Sequence, residues 1–136
     1  MRVVIDTNAW LSRLLIADSV TAKAIDRALL ECEILVSDET VEELADVLSR
    51  EKFDRYVSLE DRQQFIRRLL QVATIVPVLS EISDCRDPKD DKFLALALDS
   101  ESDCIVSGDG DLLSLNPWRG IDIVSPASFL KKIGSA

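Results

Sequence analysis

The feature that most constrains the fold of this chain is a regular alternation between short apolar runs and longer amphipathic intervals. The runs are rich in valine and isoleucine, as is typical of strands buried on both faces of a parallel sheet. The intervals repeat apolar residues at the spacing of one helix face. Strands that alternate with helices predict right-handed crossovers and helices on both faces of the sheet. The predicted strands are Arg2–Ile5, Ile34–Ser37, Thr74–Val78, Cys104–Ser107 and Ile121–Val124.

Capping signals support the predicted helices. Ser58 is a typical N-cap residue for the interval that follows it, and Pro126 stands at the first position of a terminal helix. Apolar stripes of helical spacing cover residues 19–32, 59–73 and 93–98. The chain contains no long linker and no repeat, so we predict one α/β/α domain over residues 1–136 with a five-stranded parallel sheet.

Composition limits the chemistry that such a domain can perform. The chain has no histidine, which excludes Ser-His-Asp and Cys-His catalysis and the common histidine-containing zinc sites. Its three cysteines form no CxxC pair, and Cys32 and Cys104 fall on apolar segments where burial is expected. The chain has a net charge of −9, whereas most nucleic-acid-binding proteins carry an excess of basic residues. The negative charge is either a solubility device or, in part, a carboxylate cluster that binds metal ions.

The sequence favours a cytoplasmic location. No apolar run approaches the roughly 20 residues that span a membrane. The N-terminus, MRVVIDTN, enters a predicted strand at once and leaves no room for the apolar region of a signal peptide.

Four acidic residues stand at the edges of predicted core elements. Asp6 follows the first strand and Asp109 follows the fourth, and ligands of open parallel sheets bind beyond the carboxyl ends of strands. Glu43 lies beside a core-facing leucine one turn into a helix, and Asp91 opens the helix that contains FLALAL. Carboxylate ligands without histidine or cysteine favour Mg²⁺ or Mn²⁺. These four positions therefore predict a divalent-metal site.

Each position also has a purely structural interpretation. Asp6 is a good N-cap, and Thr40 with Glu43 matches a capping box. Asp90 is an alternative cap beside Asp91, and the glycines around Asp109 are typical of a tight turn. The case for a metal site rests on all four carboxylates falling at one end of one sheet.

Four motifs, taken in order along the chain, resemble the PIN-domain nucleases. They are Asp6-Thr7-Asn8, Glu43-Leu44, Arg86–Asp91 before FLALAL, and Ser107–Leu112. The resemblance spans essentially the whole chain and is strongest to the VapC-like toxins of bacterial toxin–antitoxin pairs. It implies a sheet in the order 3-2-1-4-5, a homodimer, RNA cleavage with Mg²⁺ or Mn²⁺, and a cognate antitoxin protein as partner.

The resemblance also implies roles for individual residues. Asp6, Glu43, Asp91 and Asp109 would be the catalytic, metal-binding set, with Asp111 as a secondary ligand and Asn8 and Ser107 as polar supports. Ser107 stands where many family members carry threonine. The basic residues available to hold an RNA backbone are Arg13, Arg50, Lys52, Arg86 and Lys89.

We therefore predict a metal-dependent endoribonuclease, the toxin of a toxin–antitoxin pair. The alternative is a catalytically weak PIN-like scaffold that regulates through protein or RNA contacts. Two other acidic α/β classes fit poorly. A phosphoacceptor receiver domain needs an aspartate ending the third strand and a lysine ending the fifth, and a haloacid dehalogenase-type phosphatase needs a second aspartate where Asn8 stands.

Overall fold

The computed structural model describes residues 1–134, which form a five-stranded sheet. All strand pairings in it are parallel, in the order β3-β2-β1-β4-β5, so the predicted order is confirmed. The third strand stops short of its predicted end at Val78. Its neighbour in the sheet ends at Val36, so the residues after Ile75 have no strand to pair with. The strands are β1 (Arg2–Ile5), β2 (Glu33–Val36), β3 (Thr74–Ile75), β4 (Cys104–Val106) and β5 (Asp122–Val124).

Seven α-helices fill the intervals within residues 1–134, and serine side chains fix the start of several of them. Ser58 caps its helix as predicted, by accepting a hydrogen bond from the Asp61 amide at 3.1 Å. The helices are α1 (Thr7–Leu15), α2 (Val20–Glu31), α3 (Asp38–Leu48), α4 (Leu59–Val72), α5 (Asp91–Asp99), α6 (Gly110–Leu113) and α7 (Pro126–Gly134). Short 3-10 turns lie at Glu51–Phe53 and Pro88–Asp90. None of the helices in this described part of the chain is long and apolar enough to cross a membrane.

The sheet is covered on both faces, as the uninterrupted apolar strands predict. Because successive strand residues point to opposite faces, Val3 and Ile5 pack with α1, α2, α3, α4 and α7, whereas Val4 packs with α5 and α6. Cys104 is fully buried in the first of these cores, and Cys32 packs against it while remaining half-buried.

The central pairing of β1 with β4 determines where polar side chains gather. Their register places Ile5 beside Val106, and the Asp6 amide donates to the Val106 carbonyl at 3.2 Å. The segments that leave the two strands are therefore neighbours at the carboxyl edge of the sheet. Residues that are far apart in the chain meet at this edge.

Candidate active site

An acidic pocket of about 220 Å³ lies at the carboxyl ends of β1 and β4. Its walls come from the start of α1, the middle of α3, the 3-10 turn before α5, and the loop that follows β4. Five carboxylates line it, those of Asp6, Glu43, Asp87, Asp90 and Asp109. Asn8, Arg50 and Lys89 also contribute to the lining.

Asp6 caps α1 and also lines the pocket, so the capping role does not exclude a role in the site. Its Oδ1 accepts from the Ala9 amide at 2.8 Å, and its Oδ2 accepts from the Ser107 hydroxyl. Burial raises the pKa of Asp6, and the hydrogen bonds from Ser107 and Ala9 partly oppose that rise. The negative charges of Asp109 and Glu43 raise the pKa further. The Asp6 carboxylate is thus held rigidly in a site that disfavours its charge.

Ser107 connects the two neighbouring strand ends. Its side chain is completely buried; the hydroxyl donates to Asp6 and accepts from the Asp109 amide at 2.9 Å. The Asp109 carboxylate in turn caps α6, accepting from the Leu112 amide at 3.1 Å. Ser107 therefore joins the segments that carry Asp6 and Asp109.

Glu43 is available to the pocket because it takes no part in capping α3. The capping box at the start of that helix is formed by Ser37 and Thr40, so the Thr40–Glu43 box suggested by the sequence is wrong. The glutamate accepts a hydrogen bond from the Thr7 hydroxyl through one oxygen and from the Lys92 ammonium through the other. Neither Thr7 nor Lys92 was among the predicted site residues, and Lys92 has no local sequence signal.

At the start of α5, Asp90 lines the pocket and the predicted Asp91 does not. Asp90 is the last residue of the 3-10 turn. Asp87 caps that turn by accepting a hydrogen bond from the Lys89 amide at 3.0 Å. Asp91 lies outside the lining of the described pocket, and its carboxylate accepts from the Cys85 amide at 2.8 Å. Adjacent residues of a helix point about 100° apart, so one of the two aspartates turns away from the pocket.

Asp90 interacts directly with Asp109. Burial raises the pKa of Asp90 to about 7, and the charge of Asp109 and a hydrogen bond to it add to the rise. Asp87 and Asp6 raise it further. A nearby like charge disfavours the ionised form of a carboxyl group, and a positive charge would favour it. The raised pKa of Asp90 therefore agrees with a pocket that could accept a cation.

The donor set fits a hard divalent cation. Within residues 1–134 no three acidic or cysteine side chains converge closely enough to ligate one ion by themselves. Mg²⁺ commonly takes only one or two carboxylates and keeps several waters, so the Asp90–Asp109 pair with Asp6 beside it is sufficient. Asp111, the predicted secondary ligand, lies on α6 and outside the lining of the described pocket.

The predicted RNA-binding residues separate into two groups. Arg50 and Lys89 line the acidic pocket. Arg13 lies in a different, mainly apolar cavity of about 310 Å³ and pairs with Asp26 at 2.6 Å. Lys52 lies 5.1 Å from the centroid of the neighbouring Phe53 ring, and exposed Arg86 is outside the pocket lining of the described chain. Two of the five predicted positions, Arg50 and Lys89, therefore lie beside the acidic residues.

Comparison with known proteins connects this geometry to a family. Residues 2–111 match the PIN domain. An uncharacterized protein of Methanocaldococcus jannaschii is 30% identical over 118 residues, which cover 85% of this chain and 75% of that protein.

Solved structures share the same fold at low sequence identity. VapBC2 from Rickettsia felis, bound to a DNA fragment from their promoter, aligns with a TM-score of 0.65 at 12% identity, covering 92% of this chain and 98% of that one. A protein of Pyrobaculum aerophilum aligns with a TM-score of 0.65 at 16% identity, covering 100% and 91%. Mycobacterium tuberculosis VapC20, a Sarcin-Ricin loop cleaving toxin, aligns with a TM-score of 0.53 at 14% identity, covering 80% and 91%. At these identities the likeness concerns the fold alone.

Proposed function

The chain belongs to the PIN-domain family, and from this premise we propose that it is a metal-dependent endoribonuclease. The observation that carries the proposal is the acidic pocket at the carboxyl ends of β1 and β4, where five carboxylates gather and burial together with the charge of Asp109 raises the pKa of Asp90 to about 7. The acidic set is Asp6, Glu43, Asp90 and Asp109, in which Asp90 takes the place of the predicted Asp91. We propose that residues 1–136 act as one nuclease unit, although the last two residues lie outside the described structure.

Asp90 and Asp109 are the residues that would hold Mg²⁺ or Mn²⁺, with Asp6 beside them. When bound, such an ion supplies Lewis acidity that activates water and offsets the charge of a phosphodiester. The protein contributes rigid placement, since Ser107 and the Ala9 amide fix both oxygens of Asp6. No histidine is available as a general base, so proton removal depends on the carboxylates and the ion.

The rim of the pocket supplies the positive charge that an RNA backbone needs. Arg50 lines the pocket from the segment that follows α3, and Lys89 lines it from the 3-10 turn before α5, on a chain that is otherwise strongly acidic. We propose that these two residues contact the phosphates on either side of the scissile bond. Charge-assisted contacts to phosphate would position the strand without reading its bases.

The biological setting that we propose is a cytoplasmic toxin–antitoxin pair. The fold shared with VapC20, described as a Sarcin-Ricin loop cleaving toxin, supports RNA as the substrate. A cognate antitoxin and a homodimeric state are the partners we propose with it. The acidic surface of this chain, with a net charge of −9, would suit a basic segment of such an antitoxin.

The decisive experiment uses the two adjacent aspartates as a matched pair. Wild-type protein, Asp90→Asn and Asp91→Asn are incubated with a mixed single-stranded RNA pool in Mg²⁺ or Mn²⁺, with EDTA as the metal-free control. We expect Asp90→Asn to lose at least about 100-fold in cleavage rate, more than loss of an outer-shell partner typically causes. Asp91→Asn keeps an acceptor for the Cys85 amide and should remain close to wild type.

Two results would contradict the proposal. Loss of cleavage in Asp91→Asn with activity retained in Asp90→Asn would show that the site is wrongly assigned. A folded wild type that binds RNA but does not cleave it with either metal would favour the regulatory scaffold instead.

A further inference from the structure

We infer that Lys92 is an internal counter-cation that holds Glu43 away from direct metal contact, so that the acidic pocket takes a single divalent ion. The inference rests on the proposed metal-dependent function and adds a metal count and a new positioning residue to it.

Both carboxylate oxygens of Glu43 accept hydrogen bonds from protein side chains. Oε1 accepts from the Thr7 hydroxyl and Oε2 accepts from the Lys92 ammonium. The ammonium is itself restrained, because it also donates to the Lys89 carbonyl and lies 5.7 Å from the centroid of the Phe93 ring. The difference from Asp6 lies in the charge of the partner. Asp6 accepts from a neutral amide and a neutral hydroxyl, whereas Glu43 already holds a cation.

Burial makes the exchange of Lys92 for a metal ion unfavourable. Only 11% of the lysine side chain and 27% of the glutamate side chain are exposed. Lysine is almost never buried without a partner, and an ion bound to Glu43 would place a second cation next to the ammonium. Repulsion between like charges is stronger at this depth than in water.

The remaining carboxylates of the pocket, unlike Glu43, are not paired with a basic side chain in the described part of the chain. Among the ion pairs of residues 1–134, Lys92–Glu43 is the one that joins a basic side chain to a carboxylate lining the pocket. Asp6, Asp87, Asp90 and Asp109 therefore have no basic partner among these ion pairs, and a divalent ion could neutralise them. The pocket is divided into a lysine-compensated side at Glu43 and a metal-binding side around Asp6, Asp90 and Asp109.

The test measures metal binding without RNA, so that it does not depend on turnover. Mn²⁺ is titrated into the full chain by isothermal calorimetry, and bound Mn²⁺ is counted by electron paramagnetic resonance. We expect one ion in the wild type. Lys92→Met releases Glu43 and should either tighten Mn²⁺ binding roughly tenfold or add a second ion, because ligand charge governs affinity.

Three further variants separate a local effect from a general one. Lys89→Met removes the same charge from the pocket lining without touching Glu43, and should leave the number of ions at one. Lys92→Arg keeps the positive charge and should behave like wild type. In the double variant Lys92→Met with Glu43→Gln, the gain in Mn²⁺ affinity or in the number of bound ions should disappear, as expected if the two residues act through one contact.

The inference is overturned if Lys92→Met binds Mn²⁺ as wild type does, if Lys89→Met gives the same gain, or if the gain survives in the double variant. Should Lys92→Met fail to fold, Glu43→Gln alone decides the question. The inference predicts a change of less than about threefold in its Mn²⁺ dissociation constant, whereas a lost direct ligand would weaken binding far more. A folded wild type that binds no Mn²⁺ overturns both this inference and the proposed function.

Discussion

The buried guanidinium of Arg62 holds the segment between α3 and α4, and replacing it by methionine tests how that segment is stabilised. Arg62 lies on α4 with 1% of its surface exposed. It donates to the carbonyls of Leu48 at 2.7 Å, Arg50 at 3.0 Å and Val57 at 3.1 Å, and it also pairs with Asp54. The segment carries Arg50 to the acidic pocket, so its position bears on function as well as stability.

The magnitude follows from these contacts. A hydrogen bond to a charged donor contributes about 1.5 to 3 kcal/mol, so three carbonyl contacts give at least about 4 kcal/mol. The methionine stem retains apolar packing and water can reach part of the exposed segment, which reduces the expected loss to about 3 kcal/mol. Asp54 contributes little, because its side chain is 60% exposed and such ion pairs contribute less than about 1 kcal/mol.

Urea unfolding followed by circular dichroism measures this difference. With a slope of about 2 kcal/mol per molar urea, Arg62→Met should lower the midpoint by about 1.5 M. Asp54→Asn should change the free energy of unfolding by less than about 1 kcal/mol. Arg67→Met, at an exposed position on the same helix, serves as the control. A loss below about 1 kcal/mol in Arg62→Met, or an equal loss in Asp54→Asn, would refute the reasoning.

Two further predictions concern titration and reactivity. Because the pKa of Asp90 is about 7 in the folded state against an ordinary 3.8, the folded state binds more protons than the unfolded state between these values. Thermal melts in EDTA should therefore show stability falling as pH rises from about 4 to about 7. Asp90→Asn should flatten that profile and melt above wild type at pH 8, and an unchanged slope would contradict this. Burial raises the pKa of Cys104 to about 12, so iodoacetamide at pH 8 should label half-buried Cys32 first, as mass spectrometry would show, whereas early modification of Cys104 would count against its burial.

The sheet was predictable because each strand is a short apolar run with both faces buried. The exception is β3, whose apolar sequence Thr74–Val78 extends beyond the strand itself. Pro77 offers no amide for pairing, and β2 ends at Val36, so the later residues have no partner. An apolar run shows which residues favour a strand, but the length of the neighbouring strand determines where it ends.

The start of α3 shows a similar limit. Two capping patterns overlap in this sequence, one from Ser37 to Thr40 and one from Thr40 to Glu43, and local hydrogen bonding permits either. The end of β2 at Val36 selects the earlier one, since the chain turns into the helix directly afterwards. That choice places Glu43 a full turn beyond the cap, where its carboxylate can enter the pocket.

The sequence could not show which aspartate at the start of α5 faces the pocket, because no local pattern predicts the hydrogen bond between Asp91 and the Cys85 amide. Three successive charged residues serve three different purposes. Asp90 faces the acidic pocket, Asp91 accepts from the Cys85 amide, and Lys92 pairs with Glu43. Periodicity locates this helix but cannot rank adjacent aspartates at its first turn, because their directions depend on the turn that precedes it and on which buried amide needs an acceptor. A shift of one residue in that turn would place either Lys89 or Asp91 where Asp90 lies, so the charges that enter the pocket depend on the register of α5 as well as on its composition.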